Sequence, residues 1–139
     1  MALVLDTGVL FAALDADEPA HDACEDLVRT VGEHLIVPAP VFVELDYWVR
    51  KAGTADAWLT FCEDVAAGAY TIYPLEPALL VAAAQLEARY ADLPLGLVDA
   101  AVFAVCEAIG ERKVATLDRR HFSILRTSEG RPLDLMPEP

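Results

Sequence analysis

The chain has 139 residues, of which 55% are hydrophobic, and its 23 acidic and 10 basic residues give a formal net charge of −13. This length predicts one compact domain over residues 1–139 and leaves too little chain for two. A membrane span is also excluded, because Asp99 interrupts the longest apolar run, from Leu93 to Cys106. The first residues, MALVLD, show no basic stretch ahead of a cleavable apolar segment, so we expect a cytoplasmic protein without an export signal.

The charge is distributed unevenly along the chain. A net charge of −13 repels nucleic acid at long range, which argues against DNA or RNA as a partner. However, six of the ten basic residues lie between Arg112 and Arg131, whereas acidic residues crowd the segment from Asp15 to Asp26. The carboxy-terminal segment therefore keeps the local positive charge that contact with phosphates requires.

The three cysteines, Cys24, Cys62 and Cys106, are scattered singly through predicted helices. Their odd number and the lack of a CxxC pair argue against a disulfide framework and against a zinc site. We predict that all three are small hydrophobic residues of the core.

The first half of the chain alternates short apolar strands with helices. Ala2 to Leu5 is a continuous apolar run that ends at a polar turn, which is typical of a buried strand. The elements predicted next are two helices, a strand and a third helix, over Val9–Leu14, Ala20–Val31, Leu35–Val37 and Pro40–Gly53. The third helix is expected to bury an apolar stripe made of Val41, Leu45, Trp48 and Val49.

The second half continues the alternation. The predicted helices are Thr54–Ala67, Glu76–Tyr90 and one that begins near Pro94 and ends at Gly110. The predicted strands are Tyr70–Tyr73, Lys113–Leu117 and a short edge strand over Arg131–Leu135. Strands that alternate with helices predict an α/β fold, with a mostly parallel sheet of four to five short strands covered on both faces.

Four acidic residues are expected to meet at one edge of this sheet. Asp6 and Asp118 directly follow predicted strands, and ligands of such sheets bind beyond the carboxyl ends of the strands. Asp99 shares a helical face with core-type residues, and Glu44 lies at the margin of an apolar stripe. Four carboxylates this close would repel one another strongly without a cation. We therefore predict an all-oxygen site for Mg²⁺ or Mn²⁺.

Such a site suits the hydrolysis of phosphodiester bonds. A metal held by carboxylates activates a water molecule and neutralises charge in the transition state, so no side-chain nucleophile is needed. The basic cluster of Arg119, Arg120 and His121 is then expected to contact the flanking phosphates, which the acids cannot do.

Each acidic residue also has an ordinary structural explanation. Asp6 and Asp118 could each cap the turn or helix that follows, and Glu44 could be a surface residue of its helix. Asp99 fits such an explanation least, because an N-cap at Asp99 would leave Pro94 without its expected role at the helix start. The alternative function is a catalytically idle module whose acidic pocket binds a metal or a basic peptide, and the net charge of −13 favours it.

Four segments resemble, in order, the four acidic motifs of PIN-domain ribonucleases, most closely those of VapC-type toxins of toxin–antitoxin pairs. They are VLDTGVL around Asp6, PVFVELDYWV around Glu44, LPLGLVDAAV around Asp99 and VATLDRRHF around Asp118. The resemblance covers nearly the whole chain. It implies a three-layer α/β/α sandwich and a divalent-metal endoribonuclease that cleaves structured RNA such as tRNA or ribosomal RNA. It also implies a homodimer that a cognate antitoxin neutralises.

The resemblance gives supporting roles to three more residues. Thr7 and Thr116 match positions where the family tends to carry a hydroxyl that supports the metal site. Asp92 matches an acid often found ahead of the Asp99 motif, and we treat it as peripheral.

The acidic charge predicts the chemistry of such an antitoxin. A basic segment would complement the acidic pocket, with an arginine in the place of the metal and paired with the carboxylates. We expect an apolar groove for an antitoxin helix to be lined by Trp48, Trp58 or Tyr47.

Overall fold

A computed structural model describes residues 1–53 and 55–139 and contains five strands and seven helices within these ranges. In chain order, the elements are β1 (Ala2–Leu5), α1 (Thr7–Leu14), α2 (His21–Thr30), β2 (His34–Pro38), α3 (Ala39–Lys51), α4 (Ala55–Ala66), β3 (Thr71–Tyr73), α5 (Pro77–Arg89), α6 (Leu97–Ile109), β4 (Lys113–Ala115), α7 (Arg119–Phe122) and β5 (Asp134–Met136). The predicted start of the fourth helix, Thr54, lies outside the described residues.

The strands form one sheet in the order β3-β2-β1-β4-β5, and every neighbouring pair is parallel. The chain builds this sheet outward from β1 in one direction and then, after β3, in the other. The reversal places a topological switch point between β1 and β4, where ligands of such sheets bind. The predicted α/β class and the mostly parallel sheet of four to five strands are confirmed.

Helices cover both faces of the sheet. Leu3, Val4 and Leu5 are consecutive residues of β1, so their side chains point to alternate faces, and all three are fully buried. The middle of helix α6 is apolar around its whole circumference, and its residues 100–106 are all buried. These buried surfaces make the three-layer α/β/α sandwich. No helix among the described residues combines the length and the apolar character that a membrane span needs.

The structure corrects the predicted start of the helix that carries Asp99. This helix begins at Leu97, with Gly96 at its N-cap, and not near Pro94. The reason is a tight turn around Pro94, in which the Leu95 N–H donates to the Leu93 carbonyl at 2.6 Å. Asp99 is therefore the third residue of α6, within its first turn, where the helix dipole stabilises a carboxylate.

Two strands and one core residue also differ from the predictions. β4 ends at Ala115 and not at Leu117. β5 begins three residues later and ends one residue later than expected, because residues 126–132 turn back in an antiparallel bridge from Arg126 to Pro132. Trp48 does not belong to the buried stripe of α3, since 43% of its surface is exposed.

Candidate active site

Asp6 lies at the switch point between β1 and β4 and is only 5% exposed. It is the N-cap of α1, and its Oδ1 accepts a hydrogen bond from the Thr7 N–H at 2.8 Å. Its Oδ2 accepts another from the Thr116 hydroxyl at 2.8 Å. The capping role considered from the sequence is therefore confirmed, and the carboxylate is held by two donors from distant parts of the chain.

The pKa of Asp6 is strongly perturbed. Burial raises it from 3.8 to about 7, although the hydrogen bonds from Thr116 and Thr7 oppose that shift. The negative charges of Asp99 and Glu44 raise it further. Near neutral pH this carboxyl group is consequently poised between its protonated and charged forms, which is the behaviour expected of a functional acid.

Asp99 faces the same region from the first turn of α6, and 23% of its side chain is exposed. Burial raises the pKa of Asp99, and the neighbouring charges of Asp118 and Glu44 add to the shift. His121 acts in the opposite direction. Asp99 is therefore close enough to two other acids, Glu44 and Asp118, to interact with both electrostatically.

Asp118 and His121 complete the group from α7. Asp118 is the N-cap of α7, and its Oδ1 accepts a hydrogen bond from the His121 N–H at 3.0 Å, which confirms the second capping role. The His121 Nδ1 atom lies 2.9 Å from Asp118 Oδ2 and 3.5 Å from Asp99 Oδ2. One ligand atom from each of Asp99, Asp118 and His121 lies within 4.8 Å of the others. Such a group can hold a metal ion.

Thr116 connects the two acids that follow strands. It is fully buried, its hydroxyl donates to Asp6 Oδ2, and its oxygen accepts the Asp118 N–H at 3.0 Å. The Thr7 hydroxyl makes no hydrogen bond with the described residues, and Thr7 supports Asp6 through its backbone N–H. Of the two threonines, Thr116 thus has the more direct connection to the acids.

Glu44 is half-buried on α3 and lies near Asp6 and Asp99, since its charge raises the pKa of both. It also lines an apolar groove, whose other residues are Ala39, Pro40, Val43, Tyr47, Trp48, Leu75, Leu97 and Val98. Glu44 therefore stands between the acidic group and an exposed apolar surface.

Comparison with known proteins identifies the family. The family model described as "PIN domain" matches residues 3–126. The chain is 34% identical to Ribonuclease VapC26 of Mycobacterium tuberculosis over 97% of this chain and 100% of the relative. The chain belongs to the PIN domain family and, within it, to the VapC ribonucleases. The predicted family is confirmed.

Solved structures of VapC proteins share this PIN fold. VapC20 of Mycobacterium tuberculosis, described as a sarcin-ricin loop cleaving toxin, has a TM-score of 0.75 at 17% identity, over 81% of this chain and 86% of that one. A chain of the VapBC2 complex of Rickettsia felis, bound to a DNA fragment from its promoter, has a TM-score of 0.68 at 15% identity, over 99% of this chain and 100% of that one. At these identities the likeness establishes the fold.

The donor chemistry of this PIN domain fits a divalent cation. Among the described residues, no lysine or arginine forms an ion pair with Asp6, Asp99 or Asp118. Burial raises the pKa of Asp6 and of Asp99, and repulsion from neighbouring acids adds to both shifts. A cation in their midst would offset both the repulsion and the loss of hydration.

The predicted phosphate-contact residues differ in their surroundings. The Arg119 guanidinium donates hydrogen bonds to the carbonyls of Leu135 and Pro137, so it anchors the last strand. Arg120 is exposed. His121 faces the carboxylates, a position that its spacing of three residues from Asp118 within a helix could have indicated.

Two further predictions concern residues near the groove and ahead of Asp99. Trp58 does not line the groove with Tyr47 and Trp48; its ring packs 5.9 Å from that of Phe61. Asp92 is exposed and is not part of the group formed by Asp99, Asp118 and His121. The groove also contains Leu97 and Val98, which the sequence did not assign to it.

Proposed function

We propose that this PIN domain is a divalent-metal-dependent endoribonuclease, acting as a single domain over residues 1–139, and the toxin of a type II toxin–antitoxin pair. The observation that carries the proposal is the grouping of Asp99, Asp118 and His121, whose ligand atoms lie within 4.8 Å of one another. Family membership supports RNA as the substrate, because the 34% identical relative is named a ribonuclease. Carboxylate-held metals cleave phosphodiesters without a side-chain nucleophile.

The proposed ligands of the cation are the carboxylates of Asp6, Glu44, Asp99 and Asp118, and the candidate ions are Mg²⁺ and Mn²⁺. Such an ion, when bound, activates a water molecule and offsets charge on the phosphodiester. The chain's own part is to hold the donors in place before substrate arrives. Thr116 fixes Asp6, and the cap of α7 fixes Asp118, so little reorganisation is left for the reaction itself.

We propose that the substrate is structured RNA, such as tRNA or ribosomal RNA. The description of VapC20 as a sarcin-ricin loop cleaving toxin supports this class of substrate. Arg120 is the best placed of the predicted phosphate contacts, because it is exposed. The neighbouring Arg119 is less available, because its guanidinium already donates to backbone carbonyls. Phosphate contacts of this kind position the RNA and carry no sequence information.

We propose an antitoxin partner with a basic segment, bound beside the groove that Glu44 borders. Val43, Tyr47 and Trp48 in this groove are 77%, 49% and 43% exposed, and aromatic residues are frequent in binding surfaces. The description of a VapBC complex among the structural neighbours supports an antitoxin. We also propose a homodimer and a cytoplasmic location; the family resemblance implies the homodimer, and the free thiols of all three cysteines suit a reducing compartment.

The test is cleavage of total RNA by purified, antitoxin-free protein with Mg²⁺, with Mn²⁺ and with EDTA. We expect discrete fragments that require a metal and that are absent with Asp99→Asn. Ends mapped from these fragments identify the substrate. Intact RNA in every sample, from protein shown to be folded and metal-loaded, would reject the nuclease.

The second candidate is a catalytically idle module that binds a basic partner. The net charge of −13 and the exposed groove beside Glu44 favour it. In that case the protein binds a basic peptide but cleaves no RNA with any divalent ion. The same RNA assay, combined with a peptide titration, separates the two functions.

A further inference from the structure

The side chain of His121 points toward the carboxylates of Asp99 and Asp118 and not toward solvent. Only 16% of it is exposed, and its Nδ1 atom lies 2.9 Å from Asp118 Oδ2 and 3.5 Å from Asp99 Oδ2. Despite these short distances, Nδ1 has no partner with hydrogen-bond geometry among the described residues, and the atom is buried. Buried polar atoms are normally satisfied, so this nitrogen calls for a partner.

The backbone fixes the position of the imidazole. His121 is the third residue of α7, and its N–H donates to Oδ1 of the capping Asp118. The other oxygen of the same carboxylate is the one that faces Nδ1. Asp99 approaches from the first turn of α6. Two helix starts, and not a flexible loop, therefore hold the three donors together.

The separations between these donors fit one shared ion. Metal–ligand bonds of about 2.1 Å in an octahedral site place adjacent donors about 3.0 Å apart. The observed separations from Nδ1 are 2.9 Å and 3.5 Å. A phosphate contact through Nδ1 would require that atom to face solvent, and Nδ1 is buried.

We propose that His121 is a nitrogen ligand of the metal site and that it biases this site toward a first-row transition ion such as Mn²⁺ and against Mg²⁺. The proposal rests on the metal-dependent function above and deepens it. Mg²⁺ takes oxygen donors and demands near-ideal geometry, whereas transition ions accept imidazole nitrogen. The site is then mixed, in place of the all-oxygen site predicted from the sequence.

The competing explanation is an ion pair, in which a protonated His121 neutralises Asp99 and Asp118 and leaves when a cation binds. Both explanations account for the same distances. They differ in whether the nitrogen touches the bound metal, and this contact can be measured directly.

The experiment is pulsed EPR of the Mn²⁺-loaded protein, with direct titrations of Mn²⁺ and Mg²⁺, on wild type, His121→Gln and His34→Gln. The cap of α7 uses the His121 backbone N–H, so His121→Gln retains it. His34 is the matched control, because it is exposed at the start of β2, at the opposite edge of the sheet, where its Nε2 contacts the Thr71 hydroxyl.

We expect ¹⁴N coupling to Mn²⁺ in wild type and His34→Gln and none in His121→Gln. Loss of a ligand is expected to weaken Mn²⁺ binding by about tenfold or more, with a change of less than about threefold for Mg²⁺. Wild-type protein that binds Mn²⁺ without ¹⁴N coupling would overturn the role of His121 and leave the carboxylate site standing. Wild-type protein that binds neither ion would overturn the metal-dependent function as well.

Discussion

The buried charge of Asp6 predicts an unusual dependence of stability on pH in the metal-free protein. Its pKa is about 7 in the folded protein, against an ordinary value of 3.8. The folded state therefore binds this proton more tightly than the unfolded chain, and the contribution to stability is lost as the pH rises from about 4 through about 7. At about 1.4 kcal/mol per pKa unit, this amounts to roughly 3 kcal/mol between pH 5 and pH 8.

Asp6→Asn removes this ionisation with little change of shape. The amide oxygen can accept from the Thr7 N–H, and the amide nitrogen can donate to the Thr116 oxygen, which keeps both contacts of the carboxylate. In EDTA, the free energy of unfolding of wild type is expected to fall between pH 5 and pH 8. For Asp6→Asn we expect this fall to be smaller by roughly 3 kcal/mol. Urea unfolding at several pH values measures this free energy in both proteins.

The control is Asp92→Asn, which removes one exposed acid away from the acidic group. It is expected to follow the wild-type curve, since exposed charges contribute little. Equal pH dependence in Asp6→Asn and wild type would refute the assignment of a buried, strongly shifted carboxyl group to Asp6.

Three further predictions concern the surroundings of the site. Thr116→Val removes a buried hydrogen bond to the Asp6 carboxylate and is expected to lower the free energy of unfolding by about 1.5–3 kcal/mol, measured by urea unfolding at pH 8. An unchanged urea midpoint would contradict this hydrogen bond. Arg120→Ala is expected to weaken RNA binding and to lower the salt dependence of binding by about one phosphate contact. Arg119→Ala is expected chiefly to lower the stability of the fold, because the contacts with the carbonyls are lost, and equal effects of the two variants on RNA binding would reject this division of roles. Trp48→Ala is expected to weaken antitoxin binding by about tenfold or more in calorimetry, whereas the control, Leu59→Ala, changes another exposed residue and is expected to bind as wild type does. Equal affinities of Trp48→Ala and wild type for the antitoxin would exclude the groove as the antitoxin site.

The sequence predicted well those features that depend on local pattern. The apolar run before Asp6 identified β1 and its polar end, because a strand buried on both faces admits few polar residues. The apolar neighbours of Asp99 predicted a carboxylate close to the core, and burial raises its pKa; its role in the site stays a prediction.

Features that depend on tertiary contacts were predicted less well. Pro94 resembled a helix start, but the bond from Leu95 to Leu93 makes a separate turn ahead of α6. The register of β5 depends on the turn around Gly130, whose φ of 78° requires glycine, and on the pairing of β5 with β4. Similarly, whether Trp48 is buried depends on which element packs over α3, which the periodicity of one helix cannot reveal.

Metal-dependent cleavage of RNA is measured as the rate of one mapped cleavage in wild type, Asp99→Asn and Asp92→Asn, with metal and with EDTA. We expect Asp92→Asn to cleave at the wild-type rate. Asp99→Asn and EDTA are each expected to lower the rate by about a hundredfold or more, since the metal supplies several kcal/mol of transition-state stabilisation. Cleavage by Asp99→Asn at the wild-type rate, or cleavage that persists in EDTA, would contradict a metal-dependent nuclease that uses Asp99.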